Sequence, residues 1–462
     1  MSFPRAVPNF WSEERVDDTP ATGGSSGRAP RSRRGARVIV VGGGAAGLAA
    51  AADLCRRGFT VTLVEARDRL GGRVDTRSDP VLGIAVERGA EFVHGRPQAT
   101  LALARRARAR LRGIPDRHGR RRGGRLVDAA AELADAQELL RLGRSDDEPF
   151  AAVLRRGAAR GRSAEVAELA RSFVRGFYLA DPRAASALAL ARLTRSLDEI
   201  DGDALSRVEG GYSALLAPLA DTVRNAGELR LSTVVDELRW RRGAVSVLAR
   251  GAAGGRLAPI RGVRAIVTVP TAILRDRAVR FVPALPEKRR AAAALAPGPL
   301  VKVLLRFRQA PWTDSGPRRL VFLHVPGAPM PVFWTLAPLH APLLVGWAGG
   351  PDAARLAGRP EPEVVRAALA SAGRGLGTSP GALEDRLDGA AVVDWTADPF
   401  ARGGYAVFPV GSGGASEALA RPVERTLFFA GEATAAGHAG TVEGALRSGA
   451  RAAREVAASF GG

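Results

Sequence analysis

Gly42-Gly43-Gly44-Ala45-Ala46-Gly47 and, 18 residues beyond Gly47, Glu65 have the types and spacing to hold a dinucleotide. Each glycine has its own task in such a motif. Gly42 makes a tight turn, Gly44 lets the backbone approach a pyrophosphate, and Gly47 lets the following helix pack closely. The carboxylate accepts from ribose hydroxyls and disfavours a 2′-phosphate. Lys302 is a second candidate: it interrupts the apolar run PLVKVLLRF in a chain where only two of 68 cationic side chains are lysine. Its compact ammonium donates in a way that an arginine fork does not mimic, although a lysine snorkelling from a sheet edge would look the same in sequence. The five histidines (94, 118, 324, 340 and 438) show no ligand spacing, and Cys55 is the only cysteine, so no metal site is expected.

These groups need elements to hold them. Arg37 to Val41 is an apolar, β-branched run that suits a strand buried on both faces, Ala45 to Arg57 reads as a helix, and Thr60 to Val64 as a second buried strand ending at Glu65. Val38 to Leu54, preceded by Ser32-Arg33-Arg34, also resembles an export signal, but cleavage behind it would remove the glycine turn. No other run approaches the roughly 20 apolar residues of a membrane span, so a cytoplasmic location without a transmembrane segment is expected. Residues 97 to 200 are rich in Ala, Leu, Arg and Glu and read as inserted helices. Leu229 to Leu238, Ala244 to Leu248 and Val263 to Val269 read as strands with hairpin turns, followed by Leu300 to Phe307, Thr426 to Ala430 and a helix over Val442 to Ala457.

The composition, 46% hydrophobic and 25% charged, is that of a globular protein. The net charge of +21 invites a nucleic-acid partner. Against that, the densest basic run, Arg105 to Arg125, reads as a solvated helix face and a Gly-rich turn with no interleaved aromatic residue. No specific nucleic acid is expected, and nothing in the sequence sets an oligomeric state.

Further motifs carry a resemblance. Leu70-Gly71-Gly72-Arg73 after the strand-helix-strand unit resembles the flavoproteins that include amine oxidases, phytoene desaturases and protoporphyrinogen oxidase. Four other stretches narrow it: Glu87 to Gly95 (ERGAEFVHG), Val208 to Tyr212 followed by Leu231 to Val235, Leu427 to Thr434 (LFFAGEAT), and Gly440 to Ala445 (GTVEGA). With these the chain is identified as a member of the flavin-containing amine oxidase family, over roughly residues 36 to 457. The resemblance implies an α/β fold with α+β insertions: a Rossmann-like FAD-binding domain and an inserted substrate domain of mixed sheet and helices. The expected order is a disordered tail (1–35), FAD-binding segments at 36–96, 206–298 and 396–462, a helical part (97–205) and a substrate-domain sheet (299–395).

The cofactor implied is FAD, held non-covalently because Gly404 stands where some members carry the bonding cysteine. Its binding set would be Gly42, Gly44, Ala45, Ala46 and Gly47, then Glu65, Ala66 and Arg67, then Gly72 and Arg73, then Gly89, Ala90 and Glu91, then Val235, and last Gly431, Glu432, Thr441 and Val442. The resemblance also implies catalytic positions. Lys302 would reach flavin N5 through a water and assist reoxidation, while Tyr405 and Thr441 would stand at the two walls of a substrate sandwich. The expected reaction is hydride transfer from an amine C–H to FAD, imine hydrolysis, and reoxidation by O2 to hydrogen peroxide. The alternatives are a related desaturase or L-amino-acid oxidase, or a basic flavoprotein that mainly binds nucleic acid.

Overall fold

The computed structural model describes residues 35–143, 146–313 and 320–461. The expected tail therefore lies outside the described residues, apart from Gly35.

The first sheet is built from runs too apolar to face water on either side. Arg37–Val41 and Thr60–Val64 are buried at every position but the first. They sit in a five-stranded parallel sheet ordered Glu228–Arg230, Thr60–Val64, Arg37–Val41, Arg264–Val267, Leu427–Phe429. Helices Ala45–Arg56, Ser213–Ala226 and Val442–Ala458 cover one face. The first is alanine-rich, so the last helix lies close against it: a Cβ at Gly449 would sit 2.1 Å from the Ala46 carbonyl oxygen. Cys55 is core packing there, free and buried. A mixed sheet, ordered Ile260–Gly262, Ala244–Gly251, Thr233–Arg241, Arg280–Val282, with only the last pair parallel, covers the other face.

Three expectations change. Leu229 to Leu238 is not one strand: Glu228–Arg230 joins the parallel sheet, and Thr233–Arg241 lies in the sheet that covers it. The stretch Val263 to Val269 is not a hairpin arm: Arg264–Val267 is the strand beside Arg37–Val41, parallel to it, and its Ala265, Ile266 and Val267 are buried without alternation, as a two-sided strand requires. Nor is the arginine run a helix face. The helix Gln98–Ala107 ends before the strands Leu111–Gly113, His118–Arg122 and Arg125–Asp128, and Gly123 and Gly124 turn the last pair into a hairpin. Arg120 and Arg122 of that hairpin both pair with Glu132.

The hairpin completes a seven-stranded sheet ordered Leu387–Asp394, Leu300–Phe307, Leu343–Gly349, Val332–Thr335, Phe322–His324, His118–Arg122, Arg125–Asp128. Helices Ala130–Leu140, Phe150–Ala159, Ala164–Gly176 and Ala187–Asp198 form a separate core that also takes in Leu300, Val393 and Trp395. Among the described residues, no helix is long and apolar enough to cross a membrane.

Lys288, the other lysine, serves the fold. Its Nζ donates to the carbonyls of Ala418 (2.7 Å), Leu419 (2.9 Å) and Arg421, at the open end of the helix Ala415–Ala420, and lies 4.6 Å from the Phe429 ring centroid. We expect Lys288→Met to cost about 1–3 kcal/mol, because buried carbonyls lose their donor. Denaturant unfolding would show it, with flavin content unchanged.

Candidate active site

A cavity of about 750 Å³ runs from the glycine turn after the first strand into the helices of the insertion. Its volume lies within the range of small-molecule and cofactor sites.

At the first end, Gly42, Gly44, Ala45 and Ala46 line it. The glycines are not equivalent. Gly42 has φ +108°, and a Cβ there would lie 2.5 Å from Thr268 Oγ1; a Cβ at Gly47 would lie 1.9 Å from the Gly42 carbonyl oxygen. Both are needed by the chain itself. Gly44 has φ −75°, open to any residue, and its Cβ would find no protein atom nearer than 3.9 Å. No contact within the chain requires its smallness, and it stands at a helix N-terminus, where backbone amides are open to an anion.

Glu65 is buried beside that turn. Oε2 accepts from the Gly43 amide (2.6 Å) and Oε1 from the Arg67 amide (2.9 Å), which fixes the carboxylate and leaves lone pairs for ribose hydroxyls. Ala66, Arg67, Gly72, Arg73 and Val235 also line the cavity. Arg73 does not aim its whole fork inward: Nη1 donates to the Gly404 carbonyl (2.6 Å) and to Glu432 Oε1 (3.0 Å).

Glu432 is a clamp rather than a free acceptor. Besides Arg73, which is 359 positions away, it takes the amides of Ala406 (3.2 Å) and Gly440 (2.9 Å), tying three segments to one carboxylate. Gly431, Thr441 and Val442 line the cavity beside it. The Thr441 hydroxyl caps the last helix, accepting from Gly444 N (2.9 Å) and donating to His438 O (2.6 Å). The hydroxyl is thus occupied by the cap, and Thr441 meets the cavity as part of its wall. Tyr405 donates its hydroxyl to the Phe177 carbonyl, and its ring lies over Gly440, whose Cβ would approach to 3.2 Å. Burial pushes its phenol pKa far up, so it stays neutral.

Lys302 is completely buried, and it does not line the cavity. This departs from the expected reach into the site. Its Nζ lies 2.5 Å from Glu91 Oε2 and 3.5 Å from the Gly89 carbonyl, with the Trp334 ring centroid at 5.5 Å. Glu91 does line the cavity, beside Gly89 and Ala90, and it also accepts from Arg207 Nη1 and from Trp334 Nε1 (2.9 Å). Burial works to raise its pKa, but Lys302 and Arg207 hold it down at about 2. Two cations on one carboxylate leave the cluster with a net positive charge. The side chain of Glu91, expected to bind cofactor, is thus used to anchor this cluster.

Sequence reasoning missed Arg207, Trp334 and Glu443. Arg207 is one arginine among many. Glu443 accepts from the amides of Ala99 (3.1 Å) and Thr100 (2.9 Å), so a residue of the last helix caps the helix that begins at Gln98. Only its place in the GTVEGA motif could have drawn attention to it.

A family model described as flavin containing amine oxidoreductase matches residues 45–457. Lysine-specific histone demethylase 1B of Mus musculus is 28% identical over 93% of this chain and 54% of its own length. Lysine-specific histone demethylase 1 homolog 2 of Arabidopsis thaliana is 29% identical over 91% and 58%. The chain thus spans little more than half the length of these relatives. Two solved structures share its fold: cyclohexylamine oxidase from Brevibacterium oxydans (TM-score 0.74, 24% identity, 92% of this chain and 99% of that one) and a putrescine oxidase bound to putrescine (0.74, 22%, 92% and 99%).

Proposed function

The chain belongs to the flavin-containing amine oxidoreductase family and takes FAD as its cofactor, and from that premise we propose that it oxidises a small-molecule amine, with O2 as the final electron acceptor. FAD, when bound, supplies the two-electron acceptor for the C–H bond beside a neutral amine nitrogen. The carbon that loses this bond becomes an imine, which water hydrolyses, and O2 leaves as hydrogen peroxide.

The chain's part is to bind and orient. Gly44, Glu65 and Val235 would hold the dinucleotide, and Gly89, Ala90 and the Gly440 turn would pass the reacting end of the cofactor. Tyr405 walls the substrate and excludes water. The Lys302–Arg207–Glu91 cluster supplies a fixed positive charge that favours negative charge developing in the cavity as oxygen is reduced.

The observation that carries an amine, rather than an amino acid, is the state of the arginines. Among the described residues, each of those lining the cavity is already ion-paired: Arg67 with Asp398, Arg73 with Glu432, Arg141 with Asp198, Arg250 with Asp236 and Arg402 with Asp276. None of these five is left to clamp a substrate carboxylate. The purified holoprotein, mixed anaerobically with amines, polyamines and amino acids, is expected to lose its flavin absorbance with amines. Bleaching by amino acids alone, or by no compound, would sink the proposal.

A further inference from the structure

Away from the Lys302 cluster, the cavity wall carries a chain of three polar side chains that the proposed reaction does not use. Asp116, His118 and His324 all line the cavity. Asp116 is exposed, with 76% of its side chain accessible, whereas His324 is only 9% exposed. Asp116 Oδ1 lies 2.7 Å from His118 Nε2, and His118 Nδ1 lies 2.8 Å from His324 Nε2. His118 is held flat against Phe322, ring centroids 4.8 Å apart and 12° from parallel.

These contacts determine which nitrogen carries each proton. A carboxylate oxygen only accepts, so His118 Nε2 bears a hydrogen and donates it. Burial lowers the pKa of His118, against the pull of Asp116, Asp128 and Asp203. Burial, with His118 and Arg120 nearby, lowers that of His324 to about 3. Both rings are therefore neutral near pH 7. A neutral His118 with its hydrogen on Nε2 has a lone pair on Nδ1, so His324 must donate from Nε2. His324 Nδ1 is then left with a lone pair, and it has no hydrogen-bond partner among the described residues.

A nitrogen acceptor without a protein partner, on a side chain that is otherwise buried and lines a cavity, is placed to take a donor from the ligand. We propose that His324 Nδ1 is a specificity subsite that accepts a hydrogen bond from a second polar group of the substrate, an ammonium or a hydroxyl, at a distance along the molecule from the amine that is oxidised. Asp116 and His118 are positioning residues: they fix the tautomer that makes His324 an acceptor. The inference rests on the amine-oxidase reading and narrows it to amines with a second donor.

The test compares kcat/KM of the holoenzyme for α,ω-diamines and amino alcohols of four to eight carbons with n-alkylamines of equal length. The wild-type protein should prefer the difunctional amine at one chain length, and the better of the two difunctional classes identifies the donor. His324→Phe should reduce that preference about tenfold or more, the size expected for one lost hydrogen bond. His324→Gln, which returns an acceptor, should recover part of it. Asp116→Ala, an exposed change that leaves packing intact, should reduce it about threefold by releasing the tautomer, and 15N spectra of the histidines should show His324 losing its Nε2–H form. A preference equal in wild type and His324→Phe overturns the proposal. Failure of the wider reading looks different: no amine of either kind bleaches the wild-type flavin. Calorimetric binding of the diamines to wild type and His324→Phe then still decides the subsite, weaker binding by the variant supporting it and equal binding overturning it.

Discussion

Gly44→Val should give a folded chain that has lost its flavin. The backbone at this position is in an ordinary extended conformation, φ −75° and ψ −178°, and no protein atom lies within 3.9 Å of a built Cβ, so the substitution strains nothing in the chain. It does place a branched side chain over amides at the start of the helix Ala45–Arg56, where the pyrophosphate must come within hydrogen-bond distance. Losing that approach should weaken FAD binding by about 100-fold or more, equivalent to roughly 2.7 kcal/mol. Flavin absorbance of the purified variant, set against an unchanged circular dichroism spectrum and unfolding midpoint, is the measurement. Gly42→Ala is the contrast. With φ +108° and Thr268 Oγ1 2.5 Å from the new Cβ, it should lower stability as well as flavin content. A Gly44→Val protein with stoichiometric flavin would remove the pyrophosphate from this turn.

Lys302→Met should slow reoxidation by oxygen by about 100-fold, the scale on which one preorganised charge or donor acts, while weakening FAD binding little. The structure adds a second consequence. Breaking a buried ion pair ordinarily costs about 3–5 kcal/mol, but Glu91 keeps Arg207 and Trp334 Nε1, so a smaller loss of about 1–3 kcal/mol is expected. The pH dependence follows from the Glu91 carboxyl. Its pKa, held at about 2 in the folded chain, is below the unfolded value of about 4.3, so its contribution is complete above that value and lost as pH falls towards about 2. Glu91→Gln should flatten this part of the stability profile. Stopped-flow mixing of the reduced protein with oxygen reads the first effect, and thermal unfolding between pH 7 and 3 reads the second. If reoxidation is unchanged in Lys302→Met, the cluster has only a structural role.

The parallel sheet was legible where its strands are continuous apolar runs. Arg37–Val41 and Thr60–Val64 have the ends expected of them, because burial on both faces leaves no charged residue inside to blur a boundary. Arg264–Val267 has the same signature but sits between turn signals that also suit a hairpin, and sequence does not say which strand it will lie beside. The hairpin at His118 to Asp128 was hidden because arginine suits a helix face or an exposed strand equally, and the acid that pairs with Arg120 and Arg122 comes from the following helix. Arg207 and Trp334 were invisible for a related reason. Their partner Glu91 lies 116 and 243 positions away, and nothing local marks either end.

By itself the sequence determined which backbone turns could lie against a cofactor, since the absence of a side chain at Gly44 and the carboxylate at Glu65 are written at fixed spacing. It also singled out Lys302, through the rarity of its type. Only the tertiary structure decided what these groups do to one another. It set Lys302 behind Glu91 rather than in the cavity, turned Glu432 into a clamp on three segments, used the Thr441 hydroxyl as a helix cap, and made His324 an acceptor through its contact with His118. The physical reason is that backbone geometry is a local property of residue type, whereas the charge, tautomer and free lone pairs of a buried side chain depend on the neighbours that folding brings to it.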